Sequence, residues 1–260
     1  MAAVRVSNLY KQYGSFKAVD GLCLSMAHNQ IFALLGHNGA GKTTAIRMMT
    51  ALTGSNGGEM DVGGFDVATE TARVRESIGV CPQHDVLWGQ LTSREHLKIF
   101  SMMKGHAGPA SEKEIEDLLH GVKLHDVQNK QCGKYSGGMR RRLSVAIAAV
   151  GSPRVMFLDE PTTGMDPMSR QHVWDMIQRI KKNRAIVLTT HSMEEADALG
   201  DRIGIMSHGQ LVAIGSSLHL KTKHGAGYRI KLVAPSEAVE EAKRRVKTIV
   251  PTASMLDDSA

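Results

Sequence analysis

Apolar residues recur along this chain in two periods, and their alternation predicts strands interleaved with helices. Short apolar runs at 4–9, 18–26 and 30–35 read as strands, broken by Gly14 and by His28-Asn29. A helix is predicted over 43–52, then a turn-rich break at 54–58 and a hairpin at 59–66 around Gly63-Gly64. Residues 73–77 lead into the apolar run 78–81, which Pro82 ends because proline cannot continue a sheet ladder. Between 92 and 150 helical spacing takes over, at 91–103, 111–121 and 137–150, with a break at 105–109. Ser111 with Glu114 three residues on predicts a capping box opening the second of these helices. The runs 155–158 and 185–190 read as strands buried on both faces. Helices are predicted at 169–182 and 193–199, and a hairpin pairs 203–207 with 210–214 around His208-Gly209. Beyond Gly227 come a strand at 228–233, a charged helix at 236–247 and a polar tail at 251–260. The pattern predicts an α/β fold with a helical insert, then an appendage too small to fold alone.

Candidate chemistry gathers at the carboxyl ends of the apolar runs. The run 31–35 leads into Gly36-His37-Asn38-Gly39-Ala40-Gly41-Lys42-Thr43-Thr44, which fits G-x-x-x-x-G-K-[ST] and opens a predicted helix. Strand, glycine-rich loop and helix N-terminus in that order point to a phosphate cradle. Glycines let backbone N–H groups face an anion, and the helix end adds free donors and partial positive charge. Lys42 would reach the β- and γ-phosphates and Thr43 would hold Mg²⁺; the plainer alternative is a chance glycine-rich turn. The run 155–158 ends in Asp159-Glu160, and buried strands rarely end in paired acids without something to neutralise or use them. Downstream of a phosphate loop, Asp159 suits a Mg²⁺-shell ligand and Glu160 a base that polarises water. An exposed acidic turn is the alternative. His191, at the end of the second buried run, suits a γ-phosphate contact. Gln83 lies past a strand end, where α/β sheets place ligand contacts, or is a solvated loop amide. Tyr13 suits either stacking on adenine or packing. Ser136 is an expected N-cap, with Gly137 and Gly138 leaving that helix start open to an anion or simply capped.

Composition narrows the class without changing it. At 260 residues, 42% hydrophobic and 22% charged, the chain can bury a core as one large domain or a domain plus appendage. Fifteen methionines against 4% aromatics favour adaptable packing. Cys23, Cys81 and Cys132 form neither a disulfide framework nor a C-x-x-C knuckle, so a reducing, cytosolic setting is expected. No apolar run approaches the ~20 residues of a membrane span, and the N-terminus lacks the apolar region of a signal peptide; a soluble polypeptide is expected. None of the 12 histidines makes an H-E-x-x-H or comparable pair, so no transition-metal site is expected. Basic clusters at 140–142, 221–224 and 243–245 contribute to a net charge of +6. They read as solvated helix faces, or as contacts for acidic lipid head groups or nucleic acid.

In their order along the chain these residues resemble the nucleotide-binding domain of ATP-binding cassette (ABC) transporters, over about 4–220. Tyr13 matches the adenine-stacking A-loop aromatic, Gly36 to Thr44 the Walker A loop, and Gln83 the Q-loop glutamine at Mg²⁺ and water. Ser136-Gly137-Gly138 matches the signature motif, 155–160 the Walker B strand with its catalytic glutamate, Asp166 the D-loop aspartate, and His191 the switch histidine. The resemblance implies a P-loop NTPase of ABC type, with a mixed-sheet core, an antiparallel β subdomain and a helical subdomain at about 91–150. It implies a cassette over 1–225 and a partial C-terminal extension over 226–260. ATP and Mg²⁺ are the implied cofactors, with Glu160, His191 and Gln83 catalytic and Thr43, Gln83 and Asp159 at the metal. Two such domains would pack head to tail, so that Ser136 of one caps the γ-phosphate held by Lys42 of the other. Closure on ATP would drive transmembrane domains, in the same longer protein or a partner subunit, from the cytosolic face of a membrane.

Finer segments resemble the A subfamily of lipid exporters: Gly79-Val80-Cys81-Pro82-Gln83-His84-Asp85-Val86-Leu87-Trp88, residues 135–143, and Thr189 through Asp197. Export of lipid is the implied function. Tyr135 and Met139 depart from LSGGQ, and Met139 cannot make the amide hydrogen bonds expected of the glutamine. A soluble ABC ATPase acting on nucleic acid or ribosomes is the alternative. Such proteins usually carry tandem cassettes or a long coiled-coil insert, and this chain shows neither, so no nucleic-acid partner is expected. A non-hydrolysing regulator is disfavoured by the complete set Lys42, Gln83, Asp159, Glu160 and His191.

Overall fold

The long apolar runs of the sequence become neighbours in one sheet. A computed structural model describes residues 2–225, 233, 235 and 238–251, and the chain divides into two compact units, 1–223 and 224–260. Up to residue 224 the order is β1 (Val4–Tyr13), β2 (Phe16–Met26), β3 (Gln30–Leu35), α1 (Lys42–Met49), β4 (Gly57–Val62), β5 (Phe65–Asp66), α2 (Thr71–Ser77) and β6 (Ile78–Cys81). Then come α3 (Ser93–Met103), α4 (Pro109–Gly121), α5 (Gly137–Ala149), β7 (Val155–Asp159), α6 (Pro167–Ile180), β8 (Ala185–Thr190), α7 (Met193–Leu199), β9 (Arg202–Ser207), β10 (Gln210–Gly215) and α8 (Ser217–His224). A six-stranded sheet has the order β10-β9-β3-β8-β7-β6, parallel except for the β10 edge. A separate four-stranded antiparallel sheet has the order β2-β1-β4-β5. The expected mixed-sheet core, antiparallel β subdomain and helical insert are all present.

Side-chain alternation along the central strands decides which layer covers which face. Ile31, Ala33, Met156, Leu158, Ile186 and Leu188 face α5, α6 and α7, including Leu143, Val173, Trp174 and Leu199. Phe32, Leu34, Phe157 and Val187 turn the other way, onto Ala45, Ile46, Met48 and Met49 of α1 and onto the antiparallel sheet. With both faces covered, β7 and β8 are buried at every residue. The free thiols of Cys81 and Cys132 are buried, and burial pushes them up to about 12 and about 11. Among the described residues no helix is long and apolar enough to cross a membrane.

Three local expectations are corrected. Residues 10–13, beyond the strand expected at 4–9, are also strand: the ladder with β2 runs on to Tyr13 opposite Phe16, and Lys11 Nζ donates to Gly54 O at 2.6 Å and Gln12 N to Asn56 Oδ1 at 2.9 Å. Polar anchoring of this kind leaves no apolar alternation to read. The capping box lies one helix earlier than expected. Thr92 Oγ1 accepts from Glu95 N at 3.2 Å and Glu95 Oε2 accepts from Thr92 N at 2.8 Å, opening α3. Ser111 instead lies inside α4, which starts at Pro109 after Gly108, and its buried hydroxyl meets that of Ser101 at 2.6 Å. Third, α6 starts at Pro167, with Asp166 as its N-cap accepting from Ser169 N at 2.9 Å.

In the helical insert, His120 and His125 stack with ring centroids 3.9 Å apart, and both face Glu116, a grouping with no H-E-x-x-H spacing. In the second unit the charged helix α9 (Val239–Ile249) forms, with Arg245 Nε donating to Glu241 at 3.0 Å. The strand expected over 228–233 and the tail at 251–260 lie outside the described residues but for Val233 and Pro251.

Hydrogen bonding from Thr92 holds the Glu95 carboxyl below its ordinary value, so the box is intact at neutral pH. Thr92→Ala is expected to lower stability by about 1 kcal/mol in denaturant titrations at pH 7.

Candidate nucleotide site

The glycine-rich loop connects the end of β3 to α1 through backbone angles that few residues tolerate. Gly41 caps α1 with φ +102°, and a Cβ there would lie 2.2 Å from Ala18 O. Glycine alone lets the helix start this close to β2. Ala40 is buried beneath the loop, while His37 and Asn38 are exposed, with the His37 ring edge-on to His208 at 5.6 Å. At the helix start Lys42 folds back into the loop. Its Nζ donates to Gly36 O at 2.7 Å and His37 O at 3.1 Å, and lies 3.7 Å from Glu160 Oε1. Burial lowers the Lys42 pKa, and the neighbouring Glu160 and Asp159 charges oppose that shift.

The acid pair sits where β7 leaves the sheet. Asp159 Oδ1 accepts from Thr43 Oγ1 at 3.2 Å and from the Thr189 hydroxyl on adjacent β8. Glu160 follows with φ +48°, a left-handed conformation that costs a non-glycine residue about 1–3 kcal/mol. Two bonds fix it there, from Glu160 N to Thr189 Oγ1 at 3.0 Å and to Thr189 O at 3.2 Å. The turn aims the Glu160 carboxylate back across the sheet edge. Its Oε2 meets Thr163 Oγ1 at 3.0 Å, Gln83 Nε2 at 3.5 Å and His191 Nδ1 at 3.5 Å. Lys42, Thr43, Gln83, Asp159, Glu160 and His191 come from four separate stretches of chain and converge on one edge.

The remaining expected residues lie elsewhere. Tyr13 is exposed at the end of β1, with Lys11 Nζ 5.2 Å from its ring centre. Thr44 lies within α1. Ser136 caps α5, accepting from Met139 N at 3.2 Å, and both Ser136 and Gly137 are exposed while Gly138 is half-buried. Asp166 caps α6, and hydrogen bonds from Ser169 lower its pKa. Among the described residues, no hydrogen bond or ion pair joins Tyr13, Ser136, Gly137, Gly138 or Asp166 to the Lys42–Glu160 cluster. Met139 turns inward and packs on the core, so it has a role that glutamine would not fill.

Two contributors escape the sequence pattern. Thr189 reads as one more residue of a buried strand, yet its hydroxyl positions both acids. Arg141 reads as part of a solvated basic face, and the structure overturns that. Its side chain is buried and donates to the carbonyls of Asp159 at 2.7 Å, Glu160 at 2.9 Å, Pro161 at 2.9 Å and Pro82 at 2.6 Å. Arg140 and Arg142 also donate to backbone, at Tyr135 O and Val122 O. Neither carries a local signal: Arg141 sits in a basic run, and Thr189 in a buried strand beside a second threonine.

Strand, phosphate loop and helix on a parallel sheet, with an acid-tipped strand one place beyond β8 on the same sheet, define a P-loop nucleotide-binding fold. The family model described as "ABC transporter" matches residues 19–163, and the chain belongs to the ABC transporter family. ABC transporter A family member 9 of Arabidopsis thaliana is 54% identical over 216 residues, covering 82% of this chain and 23% of that protein. The phospholipid-transporting ATPase ABCA3 of Homo sapiens is 43% identical over 260 residues, covering 98% of this chain and 15% of that protein. The A-subfamily resemblance is thereby borne out. The chain spans less than a third of the length of the curated relatives it matches. Among solved structures, an ATP-binding subunit of an ABC transporter superposes with a TM-score of 0.78 at 24% identity, covering 93% of this chain and 99% of that one. A dimeric ATP-binding cassette in a post-hydrolysis state superposes with a TM-score of 0.74 at 20% identity, covering 86% and 100%. At these identities the likeness establishes the fold.

Thr189→Val removes the hydroxyl and keeps the shape. The expected loss is about 1–3 kcal/mol in chemical denaturation, because Asp159 and the Glu160 N–H each lose a partner. Thr189→Ser should restore most of it.

Proposed function

We propose that the chain is an ATP-binding and ATP-hydrolysing cassette over 1–225, with a helical subdomain at about 91–150 and a partial extension at 226–260. The convergence of Lys42, Thr43, Asp159, Glu160, Gln83 and His191 on one sheet edge supports it. The free backbone N–H groups of the α1 start would receive the β- and γ-phosphates. Lys42 would exchange its carbonyl partners and Glu160 for phosphate oxygens. The donors around Asp159 are hard oxygens, Thr43 Oγ1 and the carboxylate itself, which with Gln83 suit Mg²⁺. Mg²⁺ there would offset phosphate charge. Glu160, released from Lys42 and held by Thr163, would polarise the attacking water, with Gln83 and His191 beside it.

Tyr13 is assigned to the adenine ring, which its exposure at a strand end allows. Ser136 to Gly138 and Asp166 are assigned to a second cassette's nucleotide. The α5 start is exposed and has no counterpart in its own cluster, which supports head-to-tail pairing. A solved relative in the fold is described as dimeric and bound to ADP and Pi. The curated relatives are more than three times longer, which supports transmembrane domains in the same protein or a partner subunit, with this cassette at the cytosolic face. ABCA3's description as a phospholipid transporter supports lipid as cargo. The inward-turned run 140–142 counts against a nucleic-acid partner, since its guanidinium groups are committed to carbonyls.

Mg²⁺-ATP hydrolysis by the wild type and by Glu160→Gln is the test. The variant is expected to bind ATP and to lose about 10²–10⁴-fold in turnover. Equal turnover would contradict the role of Glu160.

A further inference from the structure

Arg141 lies on α5, the helix whose exposed start carries Ser136. A guanidinium has five N–H bonds, and here each has an acceptor. Nε donates to Pro161 O at 2.9 Å, Nη2 to Asp159 O at 2.7 Å and Glu160 O at 2.9 Å, and Nη1 to Pro82 O at 2.6 Å and Asp85 Oδ1 at 3.3 Å. Its acceptors fall in two groups. One is the backbone of the acid pair and the residue after it; the other brackets Gln83 on both sides. Ser144, also on α5, donates to the same Asp85 oxygen at 2.8 Å. The helix itself is pressed onto β6, where a Cβ on Gly79 would lie 1.8 Å from Ala148 O.

We propose that Arg141 is the joint through which the two nucleotide sites of a paired cassette sense each other. It is a positioning residue that ties Ser136, which serves the partner's nucleotide, to Gln83 and Glu160 of its own site. The inference rests on the composite-site reading above. An α-helix moves as a rigid rod over this distance, so a shift at Ser136 is carried to Arg141. The guanidinium has no unused donor and no solvent to take up slack. The backbone of 159–161 and the loop around Gln83 therefore follow the helix, or buried charge-assisted bonds break. Lysine cannot replace it, because a compact ammonium cannot bridge both groups of acceptors.

ATP dependence of hydrolysis by the 260-residue chain, in the wild type, Arg141→Lys and Asp85→Asn, tests this, with folding of each checked by circular dichroism. Two communicating sites predict a Hill coefficient approaching about 2 for the wild type and about 1 for both variants. ATP affinity is expected to stay within about 3-fold, since neither residue faces the phosphate loop. In a mutant cycle, the coupling between Ser136→Ala and Gln83→Ala, expected at about 5-fold or more, should vanish in the Arg141→Lys background. If Arg141→Lys fails to fold, Asp85→Asn decides. A cooperative wild type with cooperative variants overturns the proposal and leaves the composite site standing. A wild type without cooperativity overturns both.

Discussion

A buried ammonium beside two buried carboxylates is the constraint on which the rest of the structure depends. Lys42, Asp159 and Glu160 each lie almost wholly out of solvent, with Lys42 Nζ 3.7 Å from Glu160. Charges so placed are tolerated only when paired and hydrogen-bonded. The parallel sheet supplies that condition, because β3, β7 and β8 all end at the same edge and deliver the loop, the acids and Thr189 together. Helices on one face and a second sheet on the other keep water from the strands beneath. The strained turn at Glu160 holds because Thr189 fixes it from the side. What looks like an excess of charge is a set of internal pairings that, in the proposed function, would be exchanged for a charged ligand.

Most of this was legible in the sequence, for reasons that can be named. The phosphate loop was readable because glycine spacing and a following lysine and threonine encode backbone geometry directly. The acids were readable because an apolar run ending in Asp159-Glu160 has few explanations. Strands were found wherever one or both faces are apolar. The misses share a cause. The end of β1 is held by its ladder with β2 and by bonds from Lys11 and Gln12 rather than by burial, so no alternation marks it. Ser111 with Glu114 has the spacing of a capping box, but Pro109 had already begun the helix. Arg141 lies in a basic run, and nothing local distinguishes a buried guanidinium with carbonyl partners from a solvated one. Its partners at 82–85 and 159–161 are distant in sequence. Thr189 is hidden likewise, since a threonine in a buried strand is ordinary.

The two halves of the proposed nucleotide machinery are physically distinct in this chain. The Lys42–Glu160 cluster is buried and internally paired, and it holds the groups proposed to handle phosphate and water. The α5 start is exposed, capped by its own serine and turned toward nothing in its own cluster. A helix N-terminus of this kind favours an anion, and the α5 start is free to meet one on another molecule. The site is thus read as half of a shared one.

Complementation measures that claim most directly. A Lys42→Ala chain and a Ser136→Arg chain would each be inactive alone, one lacking its phosphate grip and the other its cap. In a head-to-tail pair made of one of each, Lys42 of the second chain would meet Ser136 of the first, and one site would be whole. Mixing the two is predicted to restore ATP hydrolysis well above the sum of the separate chains. Turnover no greater than that sum, with mixed pairs shown to form, would contradict the account.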